Sequence, residues 1–103
     1  MRIIAIRTLR EFWGKRAHRD AEQPLRAWYA EAKNASWSTP ADIKARYPHA
    51  SIVDQHRWHN RVVFNIAGNK YRLVVEFHYN TGIGYVRFVG THREYDGIDV
   101  EVV

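Results

Sequence analysis

The chain has 103 residues, 46% hydrophobic and 14% aromatic, with 3 prolines and no cysteine. That length suits one domain spanning residues 1–103, and the apolar content argues against intrinsic disorder; the lack of cysteine excludes disulfide frameworks, thiolate metal sites and thiol nucleophiles. Lys and Arg number 16 against 11 Asp and Glu, a formal charge of +5 that favours a polyanionic partner.

In chain order, Ile3, Ile4 and Ile6 predict a short strand, because β-branched residues suit a half-buried pleated surface. Thr8 and Glu11 have capping-box spacing, so a helix is expected to start there and to bury Leu9, Phe12 and Trp13 on one face. Leu25, Trp28, Tyr29 and Ala32 recur at helical spacing, which places a second helix from about Asp20 to Asn34. Pro24 is tolerated only in a first turn and draws the regular start toward Glu22 or Gln23. Thr39 ahead of Pro40 is a cap followed by a first-turn proline, predicting a third helix to about Arg46 that ends at Tyr47-Pro48.

From Ser51 the texture changes to β-branched and aromatic runs at 52–54, 60–66, 70–79 and 84–89, punctuated by turn formers at 67–69 and 80–83. These runs read as consecutive antiparallel strands. The fold class expected is therefore α+β, with the N-terminal helices packed on one face of an antiparallel sheet and the other face partly open. The opening apolar run is shorter than a signal-peptide core, and no stretch nears the ~20 apolar residues of a membrane span. A cytoplasmic chain without membrane contact is the expectation.

Strand alternation sends Tyr71, Leu73, Val75 and Phe77 to the core and Lys70, Arg72, Val74, Glu76 and His78 to the opposite face. In the next strand Val86 and Phe88 are assigned to the core, leaving Tyr85, Arg87 and Val89 on the side of Arg72. Arginine is rarely buried unpaired and its planar fork suits phosphate, so Arg72 and Arg87 either pair with Glu76 or Glu94 or face a phosphate. Between Arg57 and Arg93, Arg57, Arg61, Lys70, Arg72, Arg87 and Arg93 stand against Glu76 alone. After them Glu94, Asp96, Asp99 and Glu101 make an acidic tail that either shields this basic surface or is simply solvated.

His56 and His59 invite a metal reading, yet residues three apart in a strand face opposite sides and the remaining ligands are missing, so no metal is expected. There is no phosphate-loop or nucleophile-elbow motif, which excludes ATPase and α/β-hydrolase chemistry, and no cofactor is expected. If a helical turn follows the last long strand, His92, Tyr95 and Asp96 share one face of it. An imidazole, a phenol and a carboxylate beside strand arginines suit proton transfer and charge stabilisation. The alternative is a capped terminal turn with a packed tyrosine.

The segments Val62 to Val74 and Tyr85 to Asp96, with their Val-Phe-Asn-Ile, Gly-Asn-Lys-Tyr-Arg-Leu and Thr-His-Arg-Glu-Tyr-Asp blocks, resemble the HigB family of type II toxins. The N-terminal helix pair and Pro40 to Lys44 sit where that family carries its helices. The resemblance implies a RelE-like fold and cleavage of messenger RNA on the translating ribosome. It also implies neutralisation by a HigA-type antitoxin with a helix-turn-helix domain, DNA being reached only through that complex. Carried over residue by residue, it makes Arg72 and Arg87 holders of the scissile phosphate and His92 and Tyr95 the proton-transfer groups. Lys70, Arg61, Asn65, Asn69 and Tyr85 become substrate contacts. The ribose 2′-OH would attack the adjacent phosphate, leaving 2′,3′-cyclic phosphate and 5′-hydroxyl ends. The rival reading is a non-catalytic RNA- or protein-binding module, since basic aromatic sheets bind polyanions without cleaving them.

Overall fold

The computed structural model describes residues 1–53 and 60–103. Asp54, His56, Arg57 and His59, which enter the strand, charge and metal arguments above, lie outside the described residues. The elements are β1 (Arg2–Ile4), α1 (Ile6–Trp13), a 3-10 helix (Arg16–Ala21), α2 (Glu22–Asn34), α3 (Pro40–Arg46), β2 (Ser51–Val53), β3 (Arg61–Ile66), β4 (Tyr71–His78), β5 (Ile83–Thr91) and α4 (His92–Asp96).

The sheet runs in the order β1-β5-β4-β3-β2. From β2 to β5 it is the expected antiparallel meander. β1 corrects the expectation of a wholly antiparallel sheet: it lies at the edge, parallel to β5, so the sheet is mixed. Parallel neighbours need a long crossover, and the helices with the β2–β4 meander supply it.

Helix starts follow local chemistry where a cap is present. At α3, Thr39 Oγ1 accepts from Asp42 N while the Asp42 carboxylate accepts from Thr39 N, with Pro40 in the first turn. The capping box expected at Thr8 does not form. β1 ends at Ile4, the chain turns at once into α1 with Ala5 at its uncapped N-terminus, and Thr8 falls inside the helix. Glu11 instead accepts from Arg7 Nε at 2.9 Å, one turn back. Asp20 likewise does not open α2; it belongs to the preceding 3-10 helix, and its carboxylate takes hydrogen bonds from Lys70 and Tyr71.

The core lies between the helices and one sheet face. Leu9, Leu25, Ile43, Leu73, Val75 and Phe77 are fully buried, and each such side chain contributes ~1.5–3 kcal/mol. Phe64 joins the layers, meeting Trp28 and Tyr47 edge-on, each at 5.3 Å. The β3–β4 turn passes through left-handed backbone at Ala67 (φ 54°) and Gly68 (φ 69°). Glycine adopts that conformation freely, whereas alanine does so at a cost of ~1–2 kcal/mol.

One irregularity decides which side chains of β5 face where. A bulge sits where Val74 pairs with Phe88 and Val75 with Val86, leaving Arg87 without a partner in the ladder. Val86 therefore packs on the core with Val75, and Val89 on the core with Leu73. Phe88 shifts to the other face beside Val74. This corrects the assignment of Phe88 to the core and of Val89 to the side of Arg72: the extra residue reverses the alternation beyond it. The second face is only partly open, because Val63 and Val74 are buried on it and Arg61 Nη2 donates to the Val103 carbonyl at 2.6 Å. The acidic tail docks there through its backbone.

Candidate functional site

The residues singled out from the sequence gather on the sheet face away from α1, α2 and α3, in two clusters. The first is at the β3–β4 hairpin and the end of β5. Arg72 lies on β4 directly across from Asn65 on β3 and from Gly90 on β5. It is half-buried, and its Nη1 donates to the carbonyls of Asn69 (3.1 Å) and Tyr71 (3.2 Å). Those neutral acceptors leave its charge uncompensated by any described carboxylate contact.

α4 begins where β5 ends. Thr91 Oγ1 accepts from Glu94 N and the Glu94 carboxylate accepts from Thr91 N at 2.9 Å, closing a capping box. Those Thr91 hydrogen bonds hold the Glu94 carboxyl below its ordinary range. His92 N donates to the Lys70 carbonyl at 3.2 Å, fixing the helix start against the first residue before β4. His92 Nδ1 lies 3.1 Å from Asp96 Oδ2, one turn on, and both side chains are exposed. Tyr95 is half-buried, its ring tilted against Phe88 at 6.5 Å. The imidazole, phenol and carboxylate thus do share a helical turn beside Arg72. An added Cβ at Gly90 would stand 2.5 Å from Phe88 Cζ, so a larger residue there would have to displace the Phe88 ring.

Lys70 is an exposed side chain on the flank of this cluster, ion-paired with Asp20. The hydrogen bonds from Lys70 and then Tyr71 hold the Asp20 carboxyl low, and the bond that Lys70 donates to Asp20 raises Lys70 in turn. Tyr71 is pushed up by burial and by the same carboxylate. Asp20 thereby ties the 3-10 helix to the start of β4, and Lys70 carries less net potential than its charge implies.

The second cluster lies toward the other end of β4 and centres on Glu76, which is 9% exposed. Its carboxylate is ion-paired with Arg61, whose Nη1 lies at 3.1 Å, and accepts from Arg87 Nε at 3.2 Å and His78 Nε2 at 2.6 Å. Burial pushes the Glu76 carboxyl up, but the His78 hydrogen bond and the charges of Arg87 and Arg61 outweigh it and hold it below its ordinary range. Tyr85, opposite Glu76 in the ladder, has the Arg87 guanidinium 5.3 Å over its ring and His78 edge-on at 5.3 Å. Arg61 is 4% exposed and buried beneath this network, out of reach of a substrate. Glu76 and His78 escaped selection from the sequence as site residues. The signal was present, since a carboxylate two residues before a histidine in one strand shares its face.

Arg72 faces Gly90, three residues along β5 from Arg87, so the two arginines are offset by about 10 Å along the strand at ~3.3 Å per residue. Arg72 is bonded toward the hairpin and Arg87 toward Glu76, so the two could hold one phosphodiester together only if Arg87 left Glu76.

Helices on one face of a five-stranded mixed sheet, with arginines, imidazoles and a phenol gathered on the other, define a small RelE-like protein. The chain belongs to the HigB toxin family: the family described as HigB_toxin, RelE-like toxic component of a toxin-antitoxin system, matches residues 21–98. That span takes in α2 through α4, and with them every candidate site residue. No curated protein matched the chain. Among the described residues no helix is long and apolar enough to cross a membrane.

Proposed function

We propose that this chain is a cytoplasmic toxin that cuts messenger RNA on the translating ribosome and is silenced by a HigA-type antitoxin, which alone would bring it to DNA. The observation that carries the reading is the placement of Arg72 and Arg87 on one sheet face, with His92 and Tyr95 on the helical turn that begins where β5 ends. RNA brings its own nucleophile. A phosphodiester held by the two guanidinium groups, with the 2′-OH in line, needs charge stabilisation at its equatorial oxygens and two proton movements. The arginines supply the first. One of His92 and Tyr95 takes the 2′-OH proton as the O2′–P bond forms, and the other donates a proton to the 5′-oxygen as the P–O5′ bond breaks. The products are a 2′,3′-cyclic phosphate and a 5′-hydroxyl.

Few groups are available for acid-base work, so positioning by the ribosome must supply much of the rate, and protein-free RNA should be cut poorly. The test is incubation with translating ribosomes followed by mapping of RNA ends. New cyclic-phosphate and 5′-hydroxyl ends within translated messages support the reading. Retention of RNA without new ends makes the chain a binding module.

A further inference from the structure

A cavity of about 440 Å³ opens between the loop after α3 and the β3–β4 hairpin, and two of its lining residues, Asn65 and Asn69, adjoin Arg72. Arg46, Tyr47, Pro48, His49, Phe64, Asn65 and Asn69 contribute to its lining. Its size is within the range of small-molecule sites, ~300–1,000 Å³. Resting on the endonuclease reading, we propose that this cavity receives a nucleobase of the RNA strand whose phosphate lies at Arg72, and that it sets the base preference of cutting.

Four observations converge on that occupant. The first is contact with the phosphate end of the site: Asn65 is the direct cross-strand neighbour of Arg72, and the Asn69 carbonyl accepts from Arg72 Nη1. A nucleotide placing its phosphate on Arg72 therefore has its base next to these two residues. The second is chemistry, because a primary amide carries both a donor and an acceptor and pairs with the edge of an unstacked base. Both asparagines stand exposed.

The third is a free strand edge. β2 pairs with β3 only from Arg61 to Val63, so among the described residues no strand flanks Phe64–Ile66 on that side. Unpaired backbone donors and acceptors at an edge seek partners, and a base can supply them. The fourth is a rigid wall: the Tyr47 hydroxyl donates to Glu31 at 2.9 Å, and the Arg46 guanidinium, paired with the same carboxylate, lies 5.2 Å over the Tyr47 ring. Burial and then Glu31 push the Tyr47 phenol well above its ordinary range. A wall held in place by these contacts, with Pro48 beside it, suits the face of a base, and it costs less ordering on binding than a mobile one.

A short edge also invites an added peptide strand. Two exposed amides at the cavity and an adjacent arginine with no carboxylate in contact among the described residues favour the nucleotide.

The experiment compares wild type with Asn65→Ala, Asn69→Ala and the double variant in two readouts. One is the base frequency on either side of each cut in ribosome-bound messages. The other is fluorescence-anisotropy binding of tetranucleotide RNAs, 2′-deoxy at the cut site to block cleavage, with each base in turn and an abasic residue at each flanking position. Wild type should prefer one base at one flanking position by about tenfold or more, matching the ~1–3 kcal/mol of a good bidentate base contact. The double variant should reduce that preference to within about twofold and lose most of the penalty for the abasic residue. Cutting without any base preference in wild type, or unchanged preference in the double variant, would overturn the proposal, as would protection of this edge by the antitoxin with base preference intact. If wild type does not cut at all, the endonuclease reading fails first, and base discrimination in the binding arm still decides the cavity's role as a base site.

Discussion

Replacing Glu76 by glutamine keeps the side chain's shape and removes the charge on which Arg61, Arg87 and His78 converge. Arg87 and His78 keep 40% and 42% of their side-chain surface and turn to water. Arg61, at 5%, cannot, so the variant sets a neutral amide against a buried guanidinium where the Glu76 carboxylate stood. Breaking such a pair from one side costs ~3–5 kcal/mol. At the lower sensitivity of ~4 °C per kcal/mol for a domain near 100 residues, the melting temperature should fall by roughly 12–20 °C. Arg61→Met with Glu76→Leu should recover most of the loss, because an apolar pair of similar volume avoids both desolvation costs. Differential scanning calorimetry of the three proteins at neutral pH is the assay. The pH dependence has a fixed sign: Glu76 in the folded chain titrates below its ordinary 4.5, so its contribution is complete above that pH and is lost as pH falls through the lower, folded value. Acid destabilisation should accordingly be shallower in Glu76→Gln than in wild type. A loss under 1 kcal/mol in Glu76→Gln, or a double variant less stable than the single, would show that the network is not what holds Arg61 inside.

Arg72→Ala should lower cleavage by about 10²–10³-fold, as for loss of one transition-state donor, with His92→Gln losing less because water partly replaces a proton carrier. Both variants should keep the wild-type circular-dichroism spectrum, since each side chain reaches solvent; rates from ribosome cleavage assays check the order, and a collapsed Arg72→Ala spectrum would make Arg72 structural. Chelation with EDTA, ribosome integrity being controlled with magnesium, should leave the chemical step unchanged, since the ribose hydroxyl is the nucleophile. Leu25→Ala, at a fully buried position in α2, should cost ~2–5 kcal/mol in denaturant titrations. Thr39→Ala should cost ~1 kcal/mol through loss of the α3 cap, measured the same way.

Signals confined to neighbouring residues were legible without the fold. The Thr39-Pro40 cap, the Leu25, Trp28 and Ala32 stripe, the alternation from Tyr71 to Phe77 and the turn at 67–69 each rest on contacts within a few positions, so spacing alone specifies them. So does the turn that sets His92 one helical step from Asp96. The blocks around Arg72 and His92 likewise pointed to the toxin family in sequence. Long-range geometry decided the rest. β1 runs parallel to β5 because of where the helical crossover returns the chain. One unpaired residue at Arg87 exchanges the faces of Phe88 and Val89, and no hydropathy pattern counts a bulge before its partner strand is known. Arg61 is basic in composition yet buried in space, because only folding brings Glu76 and the Val103 carbonyl to it. The cavity between the loop after α3 and the β3–β4 hairpin is likewise tertiary: its two walls, residues 46–50 and 64–69, are distant in sequence, and an empty volume has no residue of its own to announce it.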